Sequence, residues 1–249
     1  MSTTDPLPET LPDALLVRAR GLWEHLASAP VSFAPEGGVR VVVSADSGMC
    51  PPGWVGAVVL GGSAIVTAPG EPAAATVRAA LAGLTAASVA DADTVRALLA
   101  VARVLGPAAL AYVSADGFRP VPPGGPTVAQ LPGDHPDLRS LEQLAGTEDA
   151  EEAGLDEITS PAFAVRENGR VVAAAGYRRW PSRTAHISVL TAPDCRGQGL
   201  ARVAGSAATA HALAADLLPQ WRARVPASRR VALALGFREL GAQLSIELV

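Results

Sequence analysis

From Ala192 to Ala201 the chain reads APDCRGQGLA. An arginine and two glycines stand between an apolar run, AHISVLTA, and an alanine-rich stretch that predicts a helix over 200–215. A helix N-terminus presents unpaired backbone N–H groups and the positive end of its dipole, which together favour phosphate. Gly197 and Gly199 remove Cβ atoms, so anionic oxygens can approach the backbone and positive φ is permitted. Arg196 adds a charge suited to the same ligand. The string does not match G-x-G-x-x-G, and no βαβ unit precedes it, so a dinucleotide fold is disfavoured. Upstream on the apolar run, His186 is the side chain whose intrinsic pKa best suits a base. The competing reading packs it on the strand's other face.

Composition narrows the chemistry. The chain has 249 residues, 49% hydrophobic and 18% charged, a globular composition with enough length for one large domain or two smaller ones. A formal net charge of −4 gives no basic footprint for nucleic acid. All 20 basic residues are arginine, which excludes a P-loop lysine and a Schiff base. Cys50 and Cys195 form no CxxC pair and read as reduced thiols of a cytoplasmic protein. His25, His135 and His211 have no ligand spacing to any partner, so no metal is expected. No run reaches membrane-spanning length, and the acidic, proline-broken start MSTTDPLPETLPD does not read as a signal peptide.

The elements that position the loop follow from periodicity. Pro/Gly-rich FRPVPPGGPTV, 118–128, reads as a linker. It divides the chain into an N-terminal α/β domain, 1–120, and a second domain, 121–249. In the first, the pattern predicts a helix over 12–27, a strand over 39–44, a hairpin over 54–68 turning at Gly61-Gly62, helices over 71–83 and 91–104, and a strand over 108–114. The turn-rich segment 44–54 reads more readily as a surface loop than as a binding loop. In the second, a strand over 126–132 precedes helices over 134–145 and 147–154, with Thr147 as N-cap. Strands flank Asn168-Gly169, a type I′ hairpin signal. A further strand at 185–192, the arginine–glycine loop, the helix from Leu200 and a strand at 218–224 follow. Ser228 is expected to cap a helix ending at Gly236, before a last alternating strand over 237–249. The order β-α-α-β-β-β-loop-α-β-α-β implies an α/β class with a mixed sheet.

Two stretches carry a family resemblance: ISVLTAPDCRGQGLA and PASRRVALALGF. They resemble the pyrophosphate-binding strand–loop–helix and the later helix of the GNAT superfamily of acyl-CoA-dependent N-acetyltransferases, and the element order of about half the chain agrees. The resemblance implies a C-terminal GNAT fold and acetyl-CoA as co-substrate, lying between two parallel strands that splay apart. Val189 and Thr191 would meet the pantetheine arm. Arg196, Gly197, Gln198, Gly199, Leu200 and Ala201 would hold the pyrophosphate, and Ser228 would lie near the thiol end. The N-terminal half reads as a degenerate relative, a lid over the acceptor site or a dimerisation element.

The reaction so implied moves an acetyl group to a primary amine of a small molecule or peptide. A base or water must take a proton from the amine. The family often places a glutamate at the start of the strand before the loop, where this chain has Arg183 or Thr184. It often places a tyrosine four residues after the later serine, where this chain has Ala232. His186 and Glu157, in AGLDEITS, are the replacement candidates, with ordered water the third. Glu151 and Glu152 read as a solvated helix face, and Tyr177 as core or rim. A noncatalytic acyl-CoA-binding module and a regulatory or homodimerising protein are the alternatives.

Overall fold

The computed structural model describes residues 13–35 and 37–249; the acidic segment 1–12 lies outside them. α1 (Ala14–Leu26) is followed by β1 (Gly38–Val43), β2 (Val55–Leu60), β3 (Ser63–Ala68), α2 (Glu71–Leu81), α3 (Ala86–Val89), α4 (Ala92–Leu98) and β4 (Val101–Tyr112). The second half holds β5 (Val128–Leu131), α5 (Pro136–Ala145), α6 (Thr147–Ala153), β6 (Ala162–Glu167), β7 (Arg170–Trp180), β8 (Thr184–Thr191), α7 (Leu200–Ala214), β9 (Leu218–Ala223), α8 (Pro226–Ala234) and β10 (Arg238–Leu248). Short 3-10 turns cover Leu155–Glu157 and Pro193–Cys195.

The ten strands of the described residues form one mixed sheet in the order β1-β3-β2-β10-β4-β9-β8-β7-β6-β5. β1 with β3 and β8 with β9 are parallel; every other pair is antiparallel. The class is therefore a mixed α/β fold, as the element order implies. The division near residue 120 marks a linker but not a break in the sheet. β10, the last strand, lies between β2 and β4, and β4 lies between β10 and β9. The linker itself is tied down, with the Arg119 amide donating to Leu235 O at 2.9 Å and the Val121 amide to Ser206 Oγ at 3.0 Å.

Burial explains the layers. β2 and β3 are buried at every position. Leu22 and Trp23 of α1 pack with Val58, Ile65, Leu110 and Tyr112, while Val77, Val89 and Val95 of α2–α4 pack with Val66, Leu244 and Ile246. On α7 the small residues do bring helix and sheet together: a Cβ on Gly205 would stand 3.1 Å from the Trp221 ring. Asn168 and Gly169 turn the β6–β7 hairpin with φ of 50° and 80°, as a type I′ turn requires.

Three local expectations change. The helix expected over 91–104 stops at Leu98, and Val101 already pairs with Leu248 in β4. Helical spacing of Val95, Leu98 and Leu99 continues into β-branched residues whose sheet pairing wins. Thr147 is the first residue of α6, not its cap; Gly146, at φ 87°, makes the turn. Ser228 does not cap α8, because Pro226 starts that helix two residues earlier, after Val225.

The insertion of β10 depends on one close approach. Gly241 pairs with Leu60 of β2, and a Cβ there would lie 1.7 Å from Val59 O. The obstacle is backbone, so it cannot rotate away. Gly241→Ala should destabilise the fold by about 3 kcal/mol, read from urea unfolding monitored by tryptophan fluorescence. An unchanged unfolding midpoint would show that β10 is not seated against β2 in this register.

Candidate functional site

The parallel pair β8–β9 is short. Registered pairing runs from Thr184↔Leu218 to His186↔Gln220 and stops. β8 continues to Thr191 with its other edge still paired to β7, so from Ile187 onward its β9-facing edge has no strand partner. A cavity of about 630 Å3 opens in this gap, walled by α7 and α8. Its lining includes Val189, Thr191, Arg196, Gly197, Gly199, Leu200, Ala201 and Ser228. Of the loop residues read from the sequence, Gln198 alone is not in the wall; its side chain is exposed.

The loop has the form a phosphate site needs. Cys195 is buried and closes the 3-10 turn. Gly197 and Gly199 then adopt φ of 80° and 79°, and nothing lies within 4 Å of where their Cβ atoms would be. The glycines serve conformation and leave an open cradle. The amides of Gly197, Gln198 and Gly199 donate to no acceptor among the described residues. Two buried polar atoms of the same wall also lack partners, Thr191 Oγ1 and Arg202 Nε. Native interiors satisfy such atoms, and a polyanionic ligand with polar amide groups would do so here. Arg196 is less free than its position in the sequence suggests, since its Nη2 binds Asp149 Oδ2 of α6 at 2.6 Å and its Nε reaches Thr191 O at 3.4 Å. Ser228 Oγ accepts from Trp221 Nε1 at 2.9 Å, which orients the hydroxyl on the cavity wall.

A second cavity, about 710 Å3, shares Glu152 and Arg222 with the first. Its wall comes from both halves of the chain: Gly48–Pro52, Leu105, Gly106 and Ala108 from the first, Glu151, Glu157, Arg178, Trp180, Arg224, Gln243 and Ser245 from the second. Within the turn-rich segment 44–54, Gly48–Pro52 line this cavity, while Ala45, Asp46 and Gly53 are exposed. Glu157 lies in this wall with Oε2 at 2.6 Å from Arg178 Nη1, while its Oε1 has no partner among the described residues. Glu152 is likewise ion-paired, to Arg224. Tyr177 is fully buried, its hydroxyl 3.0 Å from His211 Nδ1, away from both cavities.

His186 stands at the branch point of β8 and β9. Its ring stacks on Trp180 with centroids 4.2 Å apart and planes 10° from parallel. Its Nδ1 is 2.8 Å from Gln220 Oε1, Gln220 Nε2 is 3.3 Å from Tyr112 OH, and Trp23 Nε1 donates to the same hydroxyl at 2.6 Å. No local signal marks this chain of contacts, because its members come from α1, β4, β8 and β9. His186 is half-buried and lines the first cavity. Burial pushes the imidazole pKa down to about 3, and the nearby charge of Arg222 adds to the effect. The ring is thus neutral near pH 7 and has little affinity for a proton. Among the described residues, no group of three or more His, Cys, Asp and Glu side chains is placed to hold a metal, and no helix is long and apolar enough to cross a membrane.

Residues 160–242 match a model of the GNAT acetyltransferase family. No curated protein sequence matches the chain. Among solved structures it is similar to a GNAT-family acetyltransferase of Novosphingobium aromaticivorans, with 24% identity, TM-score 0.46, and coverage of 59% of this chain and 65% of that one. It is similar to a GCN5-related N-acetyltransferase of Kribbella flavida, with 21% identity, TM-score 0.44 and 58% of each chain covered. It is also similar to a ribosomal-protein-alanine N-acetyltransferase of Brucella melitensis, with 17% identity, TM-score 0.35, and coverage of 49% of this chain and 99% of that one. The chain spans less than two thirds of the first two.

Proposed function

We propose that this chain, whose residues 160–242 carry a GNAT acetyltransferase domain, is an N-acetyltransferase that moves an acetyl group from acetyl-CoA to a primary amine of a small molecule or peptide. The observation that carries the reading is the gap between β8 and β9, lined by unpaired loop amides and by the partnerless Thr191 Oγ1 and Arg202 Nε. These groups fit a diphosphate and an amide-bearing arm. Gly197, Gln198 and Gly199 would bind the diphosphate through N–H groups at the start of α7. Val189 and Thr191 would bind the arm along the free edge of β8, and Ser228 would face its far end. The bound thioester supplies an activated acetyl group.

The second cavity is the acceptor side in this reading. Glu157 offers a free carboxylate oxygen there and is the residue proposed to take the ammonium proton, directly or through water. His186 is ill suited to that task with a pKa near 3, and its proposed role is to hold the branch point through Trp180 and Gln220. The enzyme is placed in the cytoplasm, where free thiols such as Cys50 and Cys195 stay reduced. The first half contributes acceptor-side wall, which supports the reading of residues 1–120 as a part of the site.

Calorimetric titration with coenzyme A tests the placement. Gly199→Asp should weaken binding about tenfold or more, since φ of 79° disfavours a side chain and the carboxylate repels phosphate. Equal affinity in a folded variant would refute the loop as the diphosphate site. Thiol release with a panel of amines then separates transfer from binding alone: a protein that binds coenzyme A but acetylates no amine would be a noncatalytic acyl-CoA-binding module.

A further inference from the structure

Six charged side chains line the second cavity, and they do not all pair. Arg178 is held by Glu157, and Arg224 by Glu152. Arg222 has no carboxylate within 4.0 Å among the described residues; its one contact is Nη1 to the neutral Gln243 Oε1 at 3.3 Å. Gln243 cannot turn away, because its Nε2 donates to Met49 O at 2.5 Å. Glu151, on α6, is the carboxylate left over. Arg222 is exposed on the cleft wall, and the protein around it lowers its pKa from the usual arginine value.

Position adds to this. Gln220 is the last residue of β9 paired to β8. Arg222 lies two residues on, on the same face by strand alternation and roughly 6–7 Å along the strand. It lines both cavities, as Glu152 does. A positive group at that point, with no carboxylate partner among the described residues, is suited to meet an anionic ligand.

Resting on the acetyl-transfer reading above, we propose that the acceptor is an amino acid-like molecule, and that Arg222 binds its carboxylate beside the amine to be acetylated. A planar carboxylate matches the guanidinium fork. A single negative charge also matches the surroundings better than a dianion such as phosphate, because Glu151, Glu152 and Glu157 line the same space. Glu151 complements the ammonium form of the incoming ligand.

The test uses matched pairs: L-amino acids with small, aromatic, acidic and basic side chains, each against its own α-carboxamide, with O-phosphoethanolamine as the phosphate-bearing amine. Wild type should favour acid over amide by about tenfold or more in kcat/KM for at least one pair. Arg222→Gln should bring that ratio near one, and Arg222→Lys should restore part of it. The ratio removes any effect on coenzyme A that both substrates share. Thermal shift of the coenzyme A-saturated protein with each pair gives an independent readout. Acid-selective stabilisation without turnover would sink acetyl transfer and uphold the carboxylate site. Equal use and equal stabilisation by acid and amide, an unchanged ratio in Arg222→Gln, or a preference for the phosphate-bearing amine would overturn the proposal.

Discussion

A fragment beginning at Pro122 should not fold. It contains the whole stretch matched to the GNAT family, residues 160–242, yet it lacks both neighbours of its own last strand. β10 pairs on one side with β2, from Gly241↔Leu60 to Ile246↔Val55, and on the other with β4, from Arg238↔Tyr112 to Leu248↔Val101. β9 would keep β8 but lose its partner on the other side, since Ala109–Tyr112 of β4 covers Ala223–Gln220. The fragment would thus carry a central strand with no ladder and a second strand with one edge bare. It would also uncover the face on which Ala111 and Val113 pack against Trp221 and Phe237. Buried apolar surface of this extent outweighs the few kcal/mol by which domains are stable. Expected results are loss of dispersed amide resonances and no cooperative thermal transition, with full-length protein as the control. A soluble fragment that unfolds cooperatively and binds coenzyme A would show that 122–249 is an autonomous domain.

That expectation marks where sequence reading stopped. Each strand of the second half shows its own signal: Asn168-Gly169 for the hairpin, the small residues of α7, the alternation of β10. The loop at Arg196–Gly199 was legible for a physical reason, because its two positive-φ glycines and the start of α7 lie in one contiguous stretch. Partner choice between distant strands leaves no such local mark. β4 shows in its 108–114 core, but nothing in Val101–Tyr112 says that it enters the sheet between β9 and β10. The second cavity suffered most. Gly48–Pro52, Gly106, Arg222 and Gln243 meet only because of that insertion. Gln243 belongs to the polar set of an alternating strand, opposite Leu244 and Ile246, yet it is 7% exposed.

Stability should fall steeply between pH 6.5 and pH 3, and His186 should account for a distinct part of the loss. Unfolded, its imidazole titrates near 6.5; folded, burial and the charge of Arg222 hold it at about 3. The folded pKa is the lower one, so between the two values the unfolded chain binds the extra proton. Stability from this group is then full above pH 6.5, declines as pH falls, and is gone below about 3. The slope is about 1.36 kcal/mol per pH unit, or about 2 kcal/mol between pH 6.5 and 4.5 and on the order of 4 over the whole window. Carboxylates held low by arginines, such as Asp13 and Glu239, lose their contribution at the acid end, so the upper part of the window isolates the histidine. Urea unfolding of wild type and His186→Gln at half-unit steps from pH 7.5 to 4.5 reads the difference. The glutamine cannot titrate, and its amide can replace the bond to Gln220. Wild type should lose about 2 kcal/mol more than the variant over that range. Parallel curves would mean that the imidazole titrates freely and that the buried chain from Trp23 to His186 does not exclude a proton. The same variant addresses catalysis. His186→Gln should keep kcat within about tenfold of wild type, whereas Glu157→Gln should lose about 10²-fold or more. A loss of that size in His186→Gln alone would return the proton-accepting role to the histidine and remove Glu157 from it.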